Sequence, residues 1–82
     1  MDPFEVTIEI LRSNLQLGTR ADQFSRDTAL MGALPEFNSL TVVSLITAVE
    51  EQTGIPVADD EISADIFETV GAFSDFVANK MA

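Results

Sequence analysis

The chain has 82 residues, 46% of them hydrophobic, and its 14 acidic and 4 basic side chains give a net charge of −10 at pH 7. This length allows one folded domain over residues 1–82 and excludes a two-domain enzyme, while the apolar content is too high for a disordered chain. Because Cys, His, Trp and Tyr are all absent, the sequence also excludes disulfide bonds and catalysis by a thiolate or an imidazole.

The first predicted helix covers residues 4–17. Its apolar residues recur at spacings of four, three and four, which places one apolar stripe along a helix. The stripe consists of Phe4, Ile8, Leu11 and Leu15. Pro3 suits a first helical position with Asp2 as the N-cap, and Gly18 is a typical stop signal.

Residues 18–37 show no sustained period and are interrupted by Gly and Pro. About twenty irregular residues are unusual in a compact domain, so this loop either contains a short helical turn or has a functional role. We expect four apolar side chains to hold it across the ends of the helices: Leu30, Met31, Leu34 and Phe37.

The second predicted helix, residues 40–53, follows two good N-cap residues, Asn38 and Ser39, and ends before Gly54. At about 100° per residue it has a core stripe on one side and a mixed outward face on the other. The core stripe consists of Val42, Leu45, Ile46 and Val49. The outward face consists of Leu40, Val43, Ser44, Thr47 and Glu51, so two apolar residues point away from the core.

The acidic stretch that follows, residues 58–67, allows at most a brief helix near residues 63–67. A calcium-binding EF-hand loop that starts at Asp59 does not fit, because Ala64 stands where glycine is needed and Val70 where a bidentate glutamate is needed. We therefore predict no metal site.

The last predicted helix begins after Thr69, a suitable N-cap, and carries Lys80 near its C-terminus, where a cation is favoured. Its apolar residues recur at helical spacings: Val70, Phe73, Phe76 and Val77. No strand alternation is present. The expected fold is all-α, a small four-helix bundle of three main helices and one short helix, with a long loop between helices one and two.

The charge is unevenly distributed, because residues 27–79 contain no basic side chain. Their acidic residues are Asp27, Glu36, Glu50, Glu51, Asp59, Asp60, Glu61, Asp65, Glu68 and Asp75. An anionic surface repels nucleic acid and anionic lipid and attracts basic protein partners. We expect no nucleic acid partner, and, since no apolar run approaches about 18 residues and no signal peptide is apparent, no membrane insertion. The expectation is a cytoplasmic monomer.

The stretch LPEFNSLTVVSLITAVEEQT, residues 34–53, resembles the segment around the modified serine of acyl carrier proteins. Their second helix starts at an Asp-Ser-Leu motif, and Asn38-Ser39-Leu40 stands in that position. The other matching positions are Val43, Glu50-Glu51, Gly54-Ile55, Asp59-Asp60-Glu61 and Glu68-Thr69-Val70-Gly71. The resemblance covers residues 4–77, nearly the whole chain.

This resemblance implies a cofactor-binding site at Ser39, flanked by Asn38 and Leu40. Ser39 would receive 4'-phosphopantetheine from coenzyme A through a Mg²⁺-dependent phosphopantetheinyl transferase, and the thiol of the arm would carry acyl groups as thioesters. The protein would then be a carrier and no enzyme itself, delivering acyl intermediates in a fatty-acid, polyketide-like or specialised biosynthetic pathway.

The resemblance also implies a partner-binding face and an acyl pocket. The face, which would meet the basic docking surfaces of the transferase and of acyl-transferring, ligating or condensing enzymes, comprises Leu40, Val43, Ser44, Thr47, Glu50 and Glu51. The pocket candidates are Leu45, Ile46, Val49, Phe67 and Phe73. Two alternatives stay open: Leu40 and Val43 pack under the long loop, and the pocket candidates are ordinary core residues.

One position departs from the family pattern, because Asn38 stands where the family usually has Asp. Asn caps a helix about as well as Asp, so we expect the fold to be unaffected. In the family, the carboxylate of that Asp looks like a contact for a basic residue of the transferase. Its absence here predicts modification that is slower or restricted to fewer partners. The alternative is a helical interaction or regulatory module that keeps the carrier fold without modification.

Overall fold

The computed structural model describes residues 2–30 and 38–81. Within these ranges lie three α-helices, α1 (Pro3–Leu15), α2 (Ser39–Thr53) and α3 (Val70–Met81). Short 3₁₀ helices lie at Gly18–Gln23, Asp59–Glu61 and Ala64–Phe67. The predicted all-α bundle of three main helices and one short helix is confirmed, with Ala64–Phe67 as the short helix. Across the described ranges, no helix has the length and apolar character needed to cross a membrane.

Helix α1 starts as the sequence predicts. Asp2 is the N-cap, its Oδ1 accepts a hydrogen bond from the backbone N of Phe4 (3.1 Å), and Pro3 occupies the first helical position. The helix ends two residues before the predicted position, at Leu15, because Gln16 adopts a left-handed conformation (φ 54°) that closes the C-terminus.

The buried side of α1 is broader than the predicted stripe. Phe4 and Ile8, two of the four stripe residues, are only half-buried. The buried residues of the helix are Val6, Thr7, Ile10, Leu11 and Leu15. Helix α1 packs against both α2 and α3. Two sides of the helix are therefore buried, whereas the predicted stripe of large apolar residues marks only one.

The loop after α1 contains a short helical turn, Gly18–Gln23, which was one of the two alternatives for this segment. Leu30 is completely buried, as predicted. The other three predicted anchors, Met31, Leu34 and Phe37, lie outside the described residues.

The described end of this loop is tied to the start of α3 by backbone hydrogen bonds. Val70 N donates to Thr28 O (2.9 Å), and Leu30 N donates to Glu68 O (3.0 Å). These bonds form an isolated antiparallel bridge next to the N-terminus of α3. Residues 28–30 of the loop are therefore fixed to the start of α3, although their sequence carries no regular pattern.

Helix α2 begins at Ser39, one residue earlier than predicted, and ends at Thr53, as predicted. Gly54 follows in a left-handed conformation (φ 71°) and donates its backbone N–H to Glu50 O (2.8 Å), which closes the helix. Of the predicted core stripe, Leu45, Ile46 and Val49 are buried, whereas Val42 is half-buried.

Helix α3 contributes the centre of the core. Thr69 caps it, because its Oγ1 accepts a hydrogen bond from Ala72 N (3.0 Å). All four predicted apolar residues of this helix are buried: Val70, Phe73, Phe76 and Val77. Phe67, from the short helix before α3, packs on Phe73 with ring centroids 5.3 Å apart.

Candidate functional site

The predicted attachment residue, Ser39, is the first residue of α2 and directly follows the N-cap. The first turn of α2 contains no acidic residue. A helix N-terminus presents unpaired backbone N–H groups and the positive end of the helix dipole. A phosphate group attached at this position would be stabilised by about 0.3–1 kcal/mol relative to one on an extended segment.

Asn38 caps the helix through its side chain. Its Oδ1 accepts a hydrogen bond from Thr41 N (3.1 Å), and its backbone oxygen accepts one from Val42 N (3.0 Å). The prediction that Asn at this position maintains the helix start is therefore confirmed. The cap is neutral, so it adds no negative charge beside Ser39.

The outward face of α2 is exposed as the sequence predicts. Leu40 is 80% exposed and Val43 is 63% exposed. Ser44, Thr47 and Glu51 are exposed beside them. Neither apolar side chain is therefore packed under the described part of the loop, residues 18–30, and both are accessible to another molecule.

The two carboxylates of Glu50 and Glu51 occupy different environments. Glu50 is half-buried, and its Oε2 accepts a hydrogen bond from the backbone N of Val57 (2.7 Å). Glu51 is exposed and makes no ion pair with a described residue. Of this pair, Glu51 is thus available to a partner. Glu50 instead holds Val57 against α2, and this residue directly precedes the acidic loop of residues 58–67.

The five predicted pocket residues come together in the core. Leu45, Val49 and Phe73 are completely buried, and Phe67 and Ile46 are 1% and 8% exposed. They pack against one another and against the rest of the core cluster. Their predicted role in holding an acyl chain therefore depends on their moving apart.

A groove of about 700 Å³ lies between α1 and α2, and none of the five pocket candidates lines it. From α1 it is lined by Glu5, Val6, Glu9, Ile10, Ser13 and Asn14. From α2 it is lined by Val43, Ser44, Thr47, Ala48, Glu51 and Gln52. Sequence reasoning missed this groove because it depends on how two helices are placed side by side.

The acidic loop between α2 and α3 is fastened by Lys80. The Lys80 ammonium pairs with the carboxylate of Glu61 and lies 3.5 Å from the backbone oxygen of Pro56 and 6.0 Å from the ring centroid of Phe76. The hydrogen bond from Lys80, aided by one from Ala58 N (2.9 Å), lowers the pKa of Glu61. The negative charge of Glu61 is thus compensated within the molecule by the positive charge of Lys80.

Comparisons with known proteins agree with this geometry. Residues 8–77 match the family model described as a phosphopantetheine attachment site. The structure is similar to the solution NMR structure of a holo acyl carrier protein from Nitrosomonas europaea, with a TM-score of 0.88 and 42% sequence identity over 99% of this chain and 98% of that chain. No curated protein matches the chain.

Proposed function

Since the chain belongs to the phosphopantetheine-binding family and is an acyl carrier protein, we propose that Ser39 is the residue that carries its 4'-phosphopantetheine arm. Proteins of this family are carriers and not catalysts. The arm supplies a terminal thiol on which acyl groups are held as thioesters. The observation that carries the proposal is the position of Ser39 as the first residue of α2, immediately after the Asn38 cap.

Two further features support attachment at this position. Ser39 lies at the N-terminus of α2, where the positive end of the helix dipole favours the anionic phosphodiester. The chain itself contains no cysteine. The thiol of the arm would therefore be the only thiol in the molecule, so no internal thiol competes for the acyl group.

We propose that partners dock on the outward face of α2, beside the arm. Acyl carrier proteins interact with phosphopantetheinyl transferases and biosynthetic enzymes, and here Leu40 and Val43 would enter apolar depressions on such enzymes. Ser44, Thr47 and Glu51 would contact polar and basic groups around them, and Glu50 would act at the edge of this face. Such encounters are expected to be fast and weakened by salt.

The acyl cargo and pathway belong to the same proposal. We propose a monomeric carrier that works in the cytoplasm in a fatty-acid, polyketide-like or specialised biosynthetic pathway. An acyl chain sheltered in the bundle would have to separate the side chains of Leu45, Ile46, Val49, Phe67 and Phe73. Each methylene group of the acyl chain buried there would contribute about 0.8 kcal/mol of favourable free energy. This contribution would offset the cost of moving the packed side chains apart.

The test is modification in vitro followed by intact mass measurement. The protein is incubated with coenzyme A, Mg²⁺ and a broad-specificity phosphopantetheinyl transferase, and the expected result is the mass of one added phosphopantetheine. Ser39→Ala should gain nothing, whereas Ser63→Ala, which changes an exposed serine outside α2, should be modified as the wild type is. An arm on Ser39→Ala, or none on the wild type, would refute the attachment site.

A further inference from the structure

The groove between α1 and α2 is formed by two pairs of side-chain rows. Residues four apart on a helix lie one above the other. The rows are Glu5-Glu9-Ser13 and Val6-Ile10-Asn14 on α1, and Val43-Thr47-Glu51 and Ser44-Ala48-Gln52 on α2. The first and last residues of each row are eight positions apart, which is about 12 Å at 1.5 Å per residue. The groove, a trough between the two helices, is therefore lined along about 12 Å of each helix.

The floor of the trough is apolar. Val6 and Ile10 are 7% and 3% exposed, and Ala48 is half-buried, so the groove reaches the hydrophobic core between the helices. Val43 stands at the edge and is 63% exposed. The trough is thus continuous with the outward face of α2.

The rim of the trough is anionic. Glu5, Glu9 and Glu51 line it, and no Lys or Arg does. Glu9 pairs with Arg12, but Glu5 and Glu51 make no ion pair with any residue in the described part of the chain. An apolar floor between unpaired carboxylates complements a cationic segment that carries apolar side chains, and it repels anionic groups.

We propose that the groove between α1 and α2 is a docking site for a basic amphipathic helix of a partner protein. Apolar side chains of that helix would lie on the floor, and its Lys or Arg side chains would reach Glu5 and Glu51. The length of about 12 Å matches about two turns of helix. This inference deepens the proposed function, on which it rests for the existence of partners, and extends the docking surface from α2 onto α1.

The test uses ¹⁵N-labelled holo protein and a synthetic helical peptide of leucine and lysine with its leucines on one face. A peptide with glutamate in place of lysine, and otherwise identical, is the matched control. At low salt the lysine peptide should shift backbone amide signals in the rows of both α1 and α2, and the glutamate peptide should shift neither. Raising the salt should reverse the shifts, because exposed charges are then screened.

Two double variants with the same net charge separate the groove from the overall acidity. The double variant Glu5→Gln with Glu51→Gln should bind the lysine peptide roughly three- to tenfold more weakly than the wild type does, as expected for the loss of two exposed ion pairs. Asp65→Asn with Glu68→Gln removes two exposed carboxylates outside the groove and should change the affinity less than twofold.

Several results would overturn the docking site. One is a set of shifts confined to α2 with α1 unaffected, and another is an equal loss of affinity in both double variants. If attaching the arm to the apo protein without peptide shifts the groove amides of α1, which lie on a different helix from Ser39, the arm occupies the groove and the proposal is wrong. A protein that is modified at Ser39 yet fails these tests refutes only the docking groove, so the two proposals fail separately.

Discussion

The backbone N–H of Gly71 donates to the carbonyl oxygen of Arg26 over 2.9 Å, at the point where the long loop meets α3. A Cβ atom on residue 71 would lie 2.8 Å from that same oxygen, closer than real contacts allow. Arg26 is also held by its side chain, which pairs with Asp75 of α3 at 2.8 Å. The loop therefore contacts α3 closely through a residue that has no side chain.

Gly71→Ala should destabilise the protein, by about 1–3 kcal/mol, because the added methyl group meets backbone rather than a movable side chain. Elsewhere in a helix the same change is expected to stabilise by about 0.5–1 kcal/mol. The measurement is urea unfolding, with exposed Asn79→Ala in the same helix as the control that should change little. A variant as stable as the wild type would show that the loop at Arg26 can move away from α3 without loss of folding stability.

Asn38→Asp should accelerate the attachment of the arm by a broad-specificity transferase, since it restores a carboxylate next to the proposed attachment residue. The helix should be slightly more stable, by about 0.3–1 kcal/mol, because the charge favours the N-terminus of α2. The measurement is a time course of intact mass. Gln23→Glu, an exposed site outside α2, adds the same charge elsewhere, and equal acceleration there would attribute the effect to net charge.

The start of α2 shows how far the sequence determines this site. The sequence offers two cap candidates, Asn38 and Ser39, and Asn38 is the one that caps the helix. The exposure of Leu40 and Val43 follows from helical spacing within a single segment. Such features depend on neighbouring residues, so a sequence alone carries them. The family resemblance then supplied what spacing cannot, namely which residue receives the cofactor.

Other features could not be predicted, because they depend on segments far apart in the chain. The bonds from Thr28 and Leu30 to the start of α3 are made by backbone groups, which have no signature in the residue types. Helical spacing places Glu51 on the outward face of α2, but it does not indicate that the neighbouring Glu50 accepts a hydrogen bond from Val57 N. The groove likewise arises from the packing of α1 beside α2, which no local pattern encodes.

The ion pair between Lys80 and Glu61 should make stability depend on pH in the acid range. The pKa of Glu61 is lowered in the folded protein from its ordinary value of 4.5, so the pair contributes fully above that value. The contribution should disappear as the pH falls from 4.5 through the folded pKa. Thermal unfolding of the wild type and Glu61→Gln should therefore differ near neutral pH and converge in acid.

The control for this pH dependence is Glu68→Gln, which removes an exposed carboxylate that has no ion pair in the described part of the chain. Its difference from the wild type should stay small at every pH. A gap between wild type and Glu61→Gln that stays constant down to strongly acidic pH would contradict the assignment of the lowered pKa to Glu61.

Leu40→Ala and Val43→Ala should leave folding stability nearly unchanged, because both side chains are largely exposed. Each should lower kcat/KM of a phosphopantetheinyl transferase acting on the protein, by roughly five- to thirtyfold if the residue is a docking anchor. Ile55→Ala, which trims an exposed apolar side chain outside α2, should have little effect. If all three variants slow the enzyme alike, α2 is not a specific docking face.

The neighbouring residues Glu50 and Glu51 should give opposite phenotypes when each is changed to Gln. Glu51→Gln should weaken binding of a basic partner two- to fivefold, as for about one exposed ion pair, with unchanged stability. Glu50→Gln weakens the charged hydrogen bond to Val57 N and should lower stability by about 0.5–1.5 kcal/mol while affecting binding less. Urea unfolding and transferase kinetics on both variants measure the two effects, and a larger loss of binding in Glu50→Gln would place the docking contact on Glu50.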